Sequence, residues 1–300
     1  MIKGIAPGWF ERDADHGIRT LTPADVEKLS LRGHPRLNEG DAEALVIQSP
    51  GLSKWHRESG EFILVTPWRH RPEIPTLAIN SAFRHEDALL DAALDSAREQ
   101  GAAAFIMLEA FETRRPSFYE RHGLERLEQI VTYEHNKPQS FLASIANRRQ
   151  DFVRLNRESG VLASHVVDVD HASFPWLWWN SVAEFSSYIA LPNVEVWAGL
   201  LDGEVVSYVG FTHYRHWSHL DRIAMHPRFQ RRGLGREALH FAVERMVTRG
   251  AMRVGLSTQG DNMASRHMYE SVGFGPTPDH DYDVYGVILP NGRARIGQQG

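Results

Sequence analysis

The chain of 300 residues contains no cysteine. Disulfide bonds, thiolate metal ligands and a cysteinyl covalent intermediate are therefore excluded from its chemistry. Two catalytic motifs are also missing, since neither a G-x-S-x-G elbow nor an H-E-x-x-H pair occurs in the sequence. Any reaction that the protein carries out must use other groups.

A basic excess and long apolar runs are lacking as well. The formal net charge is -5, with both signs mixed along the chain, which argues against a general nucleic-acid binder. No apolar run is long enough to span a membrane, and the first residues carry no signal-type apolar stretch. We therefore expect a cytoplasmic protein, monomeric or homodimeric, with no nucleic-acid or membrane partner.

The carboxyl-terminal part has the pattern of alternating strands and helices. Val194–Leu201 and Glu204–Tyr214 are predicted strands around an Asp-Gly turn, and residues 218–225 are a third. Apolar residues at helical spacing then predict a helix that stops at Gly250. A strand and a helix ended by Gly273 follow. This order predicts an α/β fold with a mixed, mostly antiparallel sheet flanked by helices.

The amino-terminal part repeats this order of elements. Residues 119–124 parallel residues 269–274, 150 positions later, and Gly101 parallels Gly250 at nearly the same offset. We predict two tandem copies of one domain, the first over 1–137 and the second over 151–300. The segment 138–150 between them is predicted to be a bridging helix, with an apolar stripe that continues into the second domain, formed by Phe141, Leu142, Ile145, Phe152 and Leu155.

The stretch QRRGLGREAL, residues 230–239, concentrates positive charge and glycine at one turn. It is open to three interpretations: a solvated turn, a nucleic-acid patch, or a site for a phosphate-bearing small molecule. A glycine-rich turn that enters a helix presents unpaired backbone N–H groups, and the helix dipole favours an anion there. Gly233 and Gly235 permit close approach, while Arg231, Arg232 and Arg236 suit phosphate oxygens.

The residues around this turn resemble the GNAT superfamily of acyl-CoA N-acyltransferases. The family pattern is a strand ending in V-x-P, a Q/R-x-x-G-x-G/A pyrophosphate loop, and an N-x-x-A-x-x-x-Y-x-x-x-G-F helix. Here the corresponding residues are Met225-His226-Pro227, Gln230 to Gly235, and Asn262 through Tyr269 to Phe274. Met225 and one extra residue between Ala264 and Tyr269 depart from the pattern. The match covers about residues 194–289, and the duplicated layout resembles the tandem subfamily that includes mycothiol synthase.

The resemblance implies acetyl-CoA, or a related acyl-CoA, as a co-substrate, and no metal. Backbone groups of Ile223, Ala224 and Met225 would pair with the pantetheine arm as an added strand does. The amides from Gln230 to Arg236, including those of Leu234 and the two loop glycines, would hold the pyrophosphate. Asn262, the first residue of the helix motif, belongs to the same predicted site.

Acyl transfer to an amine requires a base, an oxyanion donor and a proton for the departing thiolate. The family pattern assigns the oxyanion donor to the backbone N–H near Met225 and the acid to Tyr269, whose alternative role is packing against the sheet. On the strand 218–225, alternation puts His219 and Asp221 on the face of Ile223. Either could be the base. Asp221 could instead be a structural partner for a nearby arginine and His219 an ordinary edge residue, and another base or none also stays open.

Two further clusters have competing interpretations. Trp176, Trp178 and Trp179 could line a pocket for an apolar or cationic acceptor, or could seal the interface between the two halves. His213, His216 and His219 are spaced by three residues, which alternates faces on a strand. This spacing favours exposed histidines at a turn over a metal site.

The sequence thus predicts an N-acetyltransferase that acts on a small-molecule amine. Two alternatives stay open: a binding module that senses acyl-CoA without turnover, and an enzyme that acetylates a protein amine. The first copy is expected to bind no acyl-CoA, because Arg84 and Glu86 occupy the positions of Gly233 and Gly235. Glu86 and Asp87 are predicted instead to cap their own helix.

Overall fold

A computed structural model describes residues 17–31, 37–109, 116–141 and 148–296. The chain divides into two compact units. The first comprises Met1–Pro67 and Pro72–Phe105, and the second comprises Trp68–Arg71 and Ile106–Gly300. Leu142 and Ile145 of the predicted apolar stripe lie outside the described residues.

The described residues of the first unit form strands and two α-helices around a small apolar core. Its elements are β1 (Ile18–Thr20), α1 (Glu39–Gln48), β2 (Lys54–His56), β3 (Phe62–Trp68), β4 (Arg71–Ser81) and α2 (Glu86–Glu99). The next strand, β5 (Ala104–Glu109), contains the point at which the chain passes from the first unit to the second. Leu21, Val46, Trp55 and Phe62 are among the buried residues of the core.

The second unit holds a larger sheet with helices packed on it. Its helices are α3 (Pro116–Arg121), α4 (Gly160–Ser173), α5 (Val182–Ile189), α6 (Leu234–Thr248), α7 (Met263–Glu270) and α8 (Pro290–Ile296). Its strands are β6 (Glu125–His135), β7 (Asp151–Arg154), β8 (Val194–Leu201), β9 (Glu204–Tyr214), β10 (Trp217–Met225), β11 (Arg253–Gln259), β12 (Gly275–Pro276) and β13 (Tyr282–Ile288). The strand order is β13-β6-β11-β10-β9-β8-β7, and β12 also pairs with β6.

The position of β6 was not apparent from the sequence repeat. Although β6 lies before the bridging segment in the chain, it pairs antiparallel with β11 on one side and with β13 on the other. Residues 125–135 therefore complete the sheet that carries the carboxyl-terminal motifs. The predicted division at residue 137 describes the repeat in the sequence, whereas the larger segment of the compact second unit runs from Ile106 onward.

The predicted α/β architecture is confirmed. Strands β8 and β9 have the predicted limits, and their turn at Asp202 and Gly203 takes positive φ at both residues, as a two-residue hairpin requires. The structure differs from the prediction at the bridging helix. Its described part is a short 3-10 turn over Pro138–Phe141, and Phe152 lies on β7, opposite Gly199 of β8. The apolar stripe is thus wrong as one helix, because strand pairing overrides the local helical pattern.

The sheet opens between β10 and β11, which are parallel neighbours. Their register pairs run from Trp217 with Arg253 to Leu220 with Leu256 and end there. An irregularity in the pairing of β10 with β9 falls at the same place, between Leu220 and Arg222. Such bulges bend a strand and re-aim its side chains. The divergence of the two strands creates a cleft at the amino ends of α6 and α7.

No helix of the described part of the chain is both long enough and apolar enough to cross a membrane.

Candidate active site

The glycine turn enters α6 in the geometry of an anion site. Gly233 is the residue before the helix, with a φ of +81°, and Arg231 also has a positive φ of +62°. Glu237 N–H makes the first helical bond, to the carbonyl of Gly233 at 3.2 Å. The amides of the preceding residues in this first turn have no partner in the helix and are available to a ligand.

Two residues from before β7 hold this turn in place. Glu237, buried in the first turn of α6, accepts the backbone N–H groups of Arg149 at 2.9 Å and Gln150 at 2.7 Å. The Arg149 guanidinium donates to the carbonyl of Arg232 at 2.9 Å, and the Gln150 amide donates to that of Leu234 at 3.0 Å. These contacts leave no signal in the sequence, because more than eighty positions separate the partners along the chain.

A cavity of about 630 Å³ lies in front of the turn. Of the predicted binding residues, nine line it: Ile223, Ala224, Met225, Gln230, Arg231, Gly233, Gly235, Arg236 and Asn262. Two are directed elsewhere. Leu234 is buried in the core, and the guanidinium of Arg232 lies over the ring of Phe229 at 5.4 Å. These two residues are therefore present in the turn only through their backbone groups.

The side chains of the turn are partly committed to the protein. Gln230 donates through its amide to the carbonyl of Met225 at 3.0 Å, which ties the turn to the end of β10. Arg236 donates to the carbonyl and hydroxyl of Ser271 at 3.1 and 3.2 Å. Asn262 caps α7 by accepting the N–H of Ser265 at 3.2 Å. The site is thus assembled from three converging segments.

The open edge of β10 offers backbone groups to this cavity. His226 N–H donates to the carbonyl of Val206 at 2.8 Å, so this pair is hydrogen-bonded to β9. Alternation along an antiparallel ladder then directs the backbone groups of Ala224 toward β9, and those of Ile223 and Met225 away from it. A ligand in the cleft can therefore pair with Ile223 and with the N–H of Met225.

A second cavity, of about 260 Å³, continues the cleft and contains all three predicted catalytic side chains. His219, Asp221 and Tyr269 line it, together with Trp178, Arg222 and Tyr282. It shares five lining residues with the larger cavity: Phe174, Ile223, Gln259, Asn262 and Ser265. The anion-binding turn and the candidate catalytic groups therefore open onto one cleft.

His219 and Asp221 form a hydrogen-bonded pair. The ring Nδ1 of His219 lies 2.8 Å from Oδ1 of Asp221. The other carboxyl oxygen of Asp221 accepts the hydroxyls of Tyr188 and Thr212. Burial, followed by the negative charge of Asp221, raises the pKa of Tyr188 well above its ordinary value, which keeps its hydroxyl a donor. The Asp221 carboxylate is thus fixed by three neighbours and orients the imidazole.

Tyr269 lies on α7 at the end of the cavity. Its side chain is buried beside Tyr133 and Phe274. Burial raises the pKa of Tyr269 to about 12, and a hydrogen bond with Ser265 opposes the shift only in part. At neutral pH the phenol is therefore protonated, and it faces a cavity rather than the core alone.

A buried charge cluster beneath the cavity was not foreseen from the sequence. Asp170 of α4 is fully buried, pairs with the guanidinium of Arg222 and accepts the hydroxyl of Tyr208. It also accepts the backbone N–H of Asn180 at 2.8 Å. Neither Asp170 in its helix nor Arg222 on β10 belongs to a recognisable sequence pattern, since only the fold brings the two residues together.

The three tryptophans separate in the structure. Trp178 lines the smaller cavity, and its indole N–H donates to Glu128 at 2.6 Å. Burial raises the pKa of Glu128 to about 7, against the opposing hydrogen bond from Trp178. Trp176 packs under the guanidinium of Arg71 at 4.7 Å, and Trp179 stacks on His171 at 4.5 Å. Only Trp178 of the three contributes to the cleft.

The histidines of β9 and β10 each have a separate partner. His213 pairs through Nδ1 with the hydroxyl of Ser218 at 2.9 Å, whereas His219 pairs with Asp221. Over the described ranges, no group of three or more histidine and acidic side chains is arranged to hold a metal ion.

Comparison with known proteins identifies this part of the chain. Residues 164–274 match the model of the Acetyltransferase (GNAT) family, and they include α6, α7 and the cleft between β10 and β11. This part of the chain is therefore a GNAT domain, as its motifs predict.

A curated relative and two solved structures extend the comparison. A [Ribosomal protein bS18]-alanine N-acetyltransferase of Salmonella typhimurium strain LT2 is 44% identical over 55 residues, which is 18% of this chain and 37% of that protein. A tandem GNAT protein from the clavulanic acid biosynthesis pathway has a TM-score of 0.57 at 13% identity, covering 90% of this chain and 97% of its own. A GCN5-related N-acetyltransferase from Anabaena variabilis has a TM-score of 0.64 at 10% identity, covering 90% and 72%. These two structures show the fold alone.

Proposed function

We propose that the protein is an N-acetyltransferase, which moves an acetyl group from acetyl-CoA directly to the amine of a small molecule. The observation that carries this proposal is the continuity of the cleft. The turn with free helix amides and the cavity with His219, Asp221 and Tyr269 share lining residues, so a single elongated ligand can occupy both.

The residues of the larger cavity suit acetyl-CoA. The amides at the start of α6 and the side chain of Arg231 would hold the pyrophosphate. The open edge of β10 at Ile223 and Met225 would pair with the pantetheine arm as a neighbouring strand does. The N–H of Met225 is then positioned to donate to the thioester oxygen, where negative charge develops during transfer.

His219 is the better candidate for the base, with Asp221 as its positioning residue. The carboxylate of Asp221 already accepts three hydrogen bonds, from His219, Tyr188 and Thr212. Because Asp221 binds Nδ1 of the imidazole, Nε2 remains to take a proton from the protonated amine, directly or through water. A histidine suits this task, because an imidazole nitrogen that is not bound to another group can accept a proton and release it again.

Tyr269 would supply the proton for the departing thiolate. With a pKa of about 12 the phenol is protonated at neutral pH. Burial penalises the phenolate, so the proton returns to Tyr269 from solvent or from the base after transfer. The hydroxyl then acts as a donor in each catalytic cycle.

Two alternatives to the proposed function are outcomes of the test: an enzyme that acetylates a protein amine, and a sensor that binds acyl-CoA without turnover. The relative from Salmonella typhimurium is named for a ribosomal-protein acceptor, which keeps a protein amine in consideration. The cavity of about 260 Å³ favours a small amine. A sensor that binds acyl-CoA without turnover would have no use for the ordered pair of His219 and Asp221.

The deciding experiment measures thiol release from acetyl-CoA with a panel of small amines. Intact-mass measurement of added proteins and of the chain itself runs in parallel. Release with small amines supports the proposal, and acetylation of proteins alone would replace the acceptor class. Acetyl-CoA binding without any release would assign the protein to the sensors.

The base is tested by the pH dependence of kcat/KM in His219→Gln and Asp221→Asn. We expect His219→Gln to lose about a hundredfold or more at neutral pH and to lose the acid limb of the profile. Asp221→Asn should keep the limb but lower the rate, because the base remains while the carboxylate that orients its ring is lost. Wild-type profiles in both variants would remove the pair from the mechanism.

A further inference from the structure

The turn between β3 and β4 places an arginine in the smaller cavity. Residues Trp68–Arg71 cluster with the second unit, unlike the rest of these two strands. Arg69 and His70 both have positive φ, of 50° and 53°. A left-handed backbone is uncommon for side chains of this size, and a pair of such residues forms a tight hairpin turn. This turn directs Arg69 into the wall of the cavity that holds His219 and Tyr269.

The guanidinium of Arg69 is held in one orientation. Its carbon lies 5.2 Å from the ring centre of Trp68 and 5.5 Å from that of Trp178. Nη1 donates to the side-chain oxygen of Asn180 at 2.8 Å. Two aromatic faces and one neutral acceptor fix the group without neutralising its charge.

Arg69 has no anionic partner in the described part of the chain. No carboxylate there lies within 4.0 Å of its guanidinium. The nearby carboxylate of Asp170 is already paired with Arg222, and that of Glu184 lies 3.4 Å from His70. The Nε atom of Arg69 is buried and has no hydrogen-bond acceptor. A buried donor without a partner is costly, and such groups in native proteins call for an explanation.

The charge of Arg69 persists at neutral pH. Burial, and then the neighbouring charge of Arg222, lower the pKa of Arg69 to about 10. The side chain is therefore a fixed cation in the wall of the cavity. A guanidinium offers pairs of parallel N–H donors whose spacing matches a carboxylate.

We infer that the amine acceptor also carries a carboxylate, which binds the guanidinium of Arg69 in the wall of the smaller cavity while the amine faces His219. This inference rests on the proposed acetyl transfer and narrows its substrate class to amino acids and similar amino carboxylates. A carboxylate in the cavity balances the charge of Arg69, which no carboxylate of the described residues pairs with. The cavity, of about 260 Å³, has room for an acceptor of this size beside the acetyl group.

The test compares matched amines in the thiol-release assay with the full-length protein. Glycine, β-alanine and longer ω-amino acids are each paired with an alkylamine of the same chain length that lacks the carboxylate. We expect kcat/KM to be at least about tenfold higher for the best amino carboxylate than for its alkylamine, because the alkylamine leaves Arg69 unpaired. An aminoalkyl phosphate is included as a competing anion.

Two variants, Arg69→Gln and Arg69→Lys, test whether Arg69 causes the preference for amino carboxylates. Arg69→Gln should raise KM for the amino carboxylate about tenfold or more and leave that for the alkylamine within about twofold. Arg69→Lys should recover part of the loss, because lysine keeps the positive charge but lacks the paired N–H donors of the guanidinium. Arg126→Gln, which removes an exposed arginine of β6, is the matched control and should change neither value. Acetyl-CoA affinity should be the same in all four proteins.

The outcomes separate this inference from the proposed function. If no amine releases thiol, acetyl transfer to small molecules itself is contradicted. If amines react but the carboxylate gives no advantage in the wild-type protein, the assignment of Arg69 is overturned while the enzyme stands. A preference for the phosphate would also overturn it. Should Arg69→Gln fail to fold, the comparison of amines in the wild-type protein still decides the question.

Discussion

Two helices in this chain begin at turns that present backbone amides, and the two turns treat anions in opposite ways. Before α6, a glycine turn leaves the amides of Gly235 and Arg236, two residues that line a cavity, without a partner in the helix. Before α2, the carboxylate of Glu61 accepts the N–H groups of Phe83, Arg84 and His85 at 2.8, 3.0 and 3.1 Å. The second turn therefore binds an anion that belongs to the chain itself.

The electrostatics of Glu61 show how strongly this turn prefers a negative charge. Burial alone would raise the pKa of Glu61, but the backbone bonds from Phe83, His85 and Arg84 and the side chain of His85 lower it to about 2. The carboxylate is ionised throughout the physiological range. The difference between the turns teaches that the local geometry for anion binding can persist while the position of the ligand is filled internally.

This arrangement adds to one sequence expectation and strengthens another. Glu86 and Asp87 lie in the first turn of α2, as expected, where the helix dipole favours acidic residues. The residue before the helix, His85, makes no side-chain cap, and Glu86 also accepts from Asn80 at 2.5 Å. The amides are held by Glu61, which a local pattern does not reveal. The proposal that the first copy binds no acyl-CoA gains support, because an internal carboxylate occupies the amides that a pyrophosphate would need.

The repeat also pairs two tyrosines with different surroundings. Tyr269 of α7 lines the smaller cavity of the cleft. Tyr119, its counterpart in the repeat, lies on α3 and stacks on Tyr285 with ring centres 3.7 Å apart. The same residue type at equivalent positions thus faces a candidate reaction site in one copy and an aromatic neighbour in the other.

The largest effect is expected from Gly235→Glu, which gives the turn before α6 a carboxylate of its own. We expect acetyl-CoA affinity to fall by at least about a hundredfold, because a fixed negative charge would meet the pyrophosphate. Gly235→Ala is the control. A Cβ there would lie 3.7 Å from the sulfur of Met268, an ordinary contact, so affinity should change by less than about threefold.

Calorimetric titration measures both variants against the wild type, for which we expect one acetyl-CoA per chain. Two equivalent sites in the wild type, or binding that survives Gly235→Glu, would contradict the assignment of the site to the turn before α6.

The pair of tyrosines is compared by Tyr269→Phe and Tyr119→Phe. Removal of the Tyr269 hydroxyl should lower kcat by about a hundredfold with acetyl-CoA affinity unchanged, because packing is kept and the proton donor is lost. Tyr119→Phe should leave kcat within about twofold. Single-turnover kinetics with the best amine make the measurement. Equal effects of the two changes would argue for a structural role at both positions.

The internal anion of the first copy is tested by Glu61→Ala. We expect the free energy of unfolding to fall by about 1–2 kcal/mol, since three amides at the start of α2 lose a charged acceptor. Because folding lowers the pKa of Glu61, its contribution is complete above the unfolded value near 4.5 and is lost as the pH falls through about 2. The loss caused by the mutation should therefore shrink in strong acid.

Denaturant unfolding at several pH values follows this change, with Glu58→Ala, a nearby glutamate on the same unit, as the control. A second acetyl-CoA site appearing in Glu61→Ala would show that the carboxylate alone had blocked the first copy. An unchanged stability at neutral pH would contradict its role at the helix.

Glu128→Gln is the change with the smallest expected effect, and the contribution of Glu128 to stability depends on pH in the opposite direction to that of Glu61. Folding raises its pKa from an ordinary value of 4.5 to about 7, first through burial. Its contribution is therefore complete below pH 4.5 and is lost as the pH rises through about 7. Glu128→Gln keeps an acceptor for Trp178 but cannot ionise. The free energy of unfolding should therefore fall less between pH 5 and pH 8 in this variant than in the wild type, by about 1 kcal/mol after allowance for solvent screening. Thermal unfolding at both pH values measures it, and parallel curves would contradict the shift.

The strands, helices and anion-binding turn of the second copy could be predicted from the sequence. The limits of β8 and β9 follow from an Asp-Gly turn between two runs of strand formers, and α6 follows from its apolar spacing between Gly233 and Gly250. These are local signals, in which a residue acts on its own backbone or on its near neighbours. The shared face of His219 and Asp221 belongs to the same class, since alternate residues of one strand face the same way. Their hydrogen bond to each other was seen only in the structure.

Features made by distant segments were decided by the tertiary structure. The insertion of β6 between β11 and β13, the support of the glycine turn by Arg149 and Gln150, and the carboxylate of Glu61 on the amides before α2 all join residues far apart in the chain. So does the approach of Arg69 to the cavity of Tyr269. The sequence by itself determined which segments form strands, helices and an anion-binding turn, because those choices depend on backbone freedom and side-chain periodicity. Which buried charges meet, and which amides remain free for a ligand, depended on packing, since a polar group finds its partner only after the segments have come together.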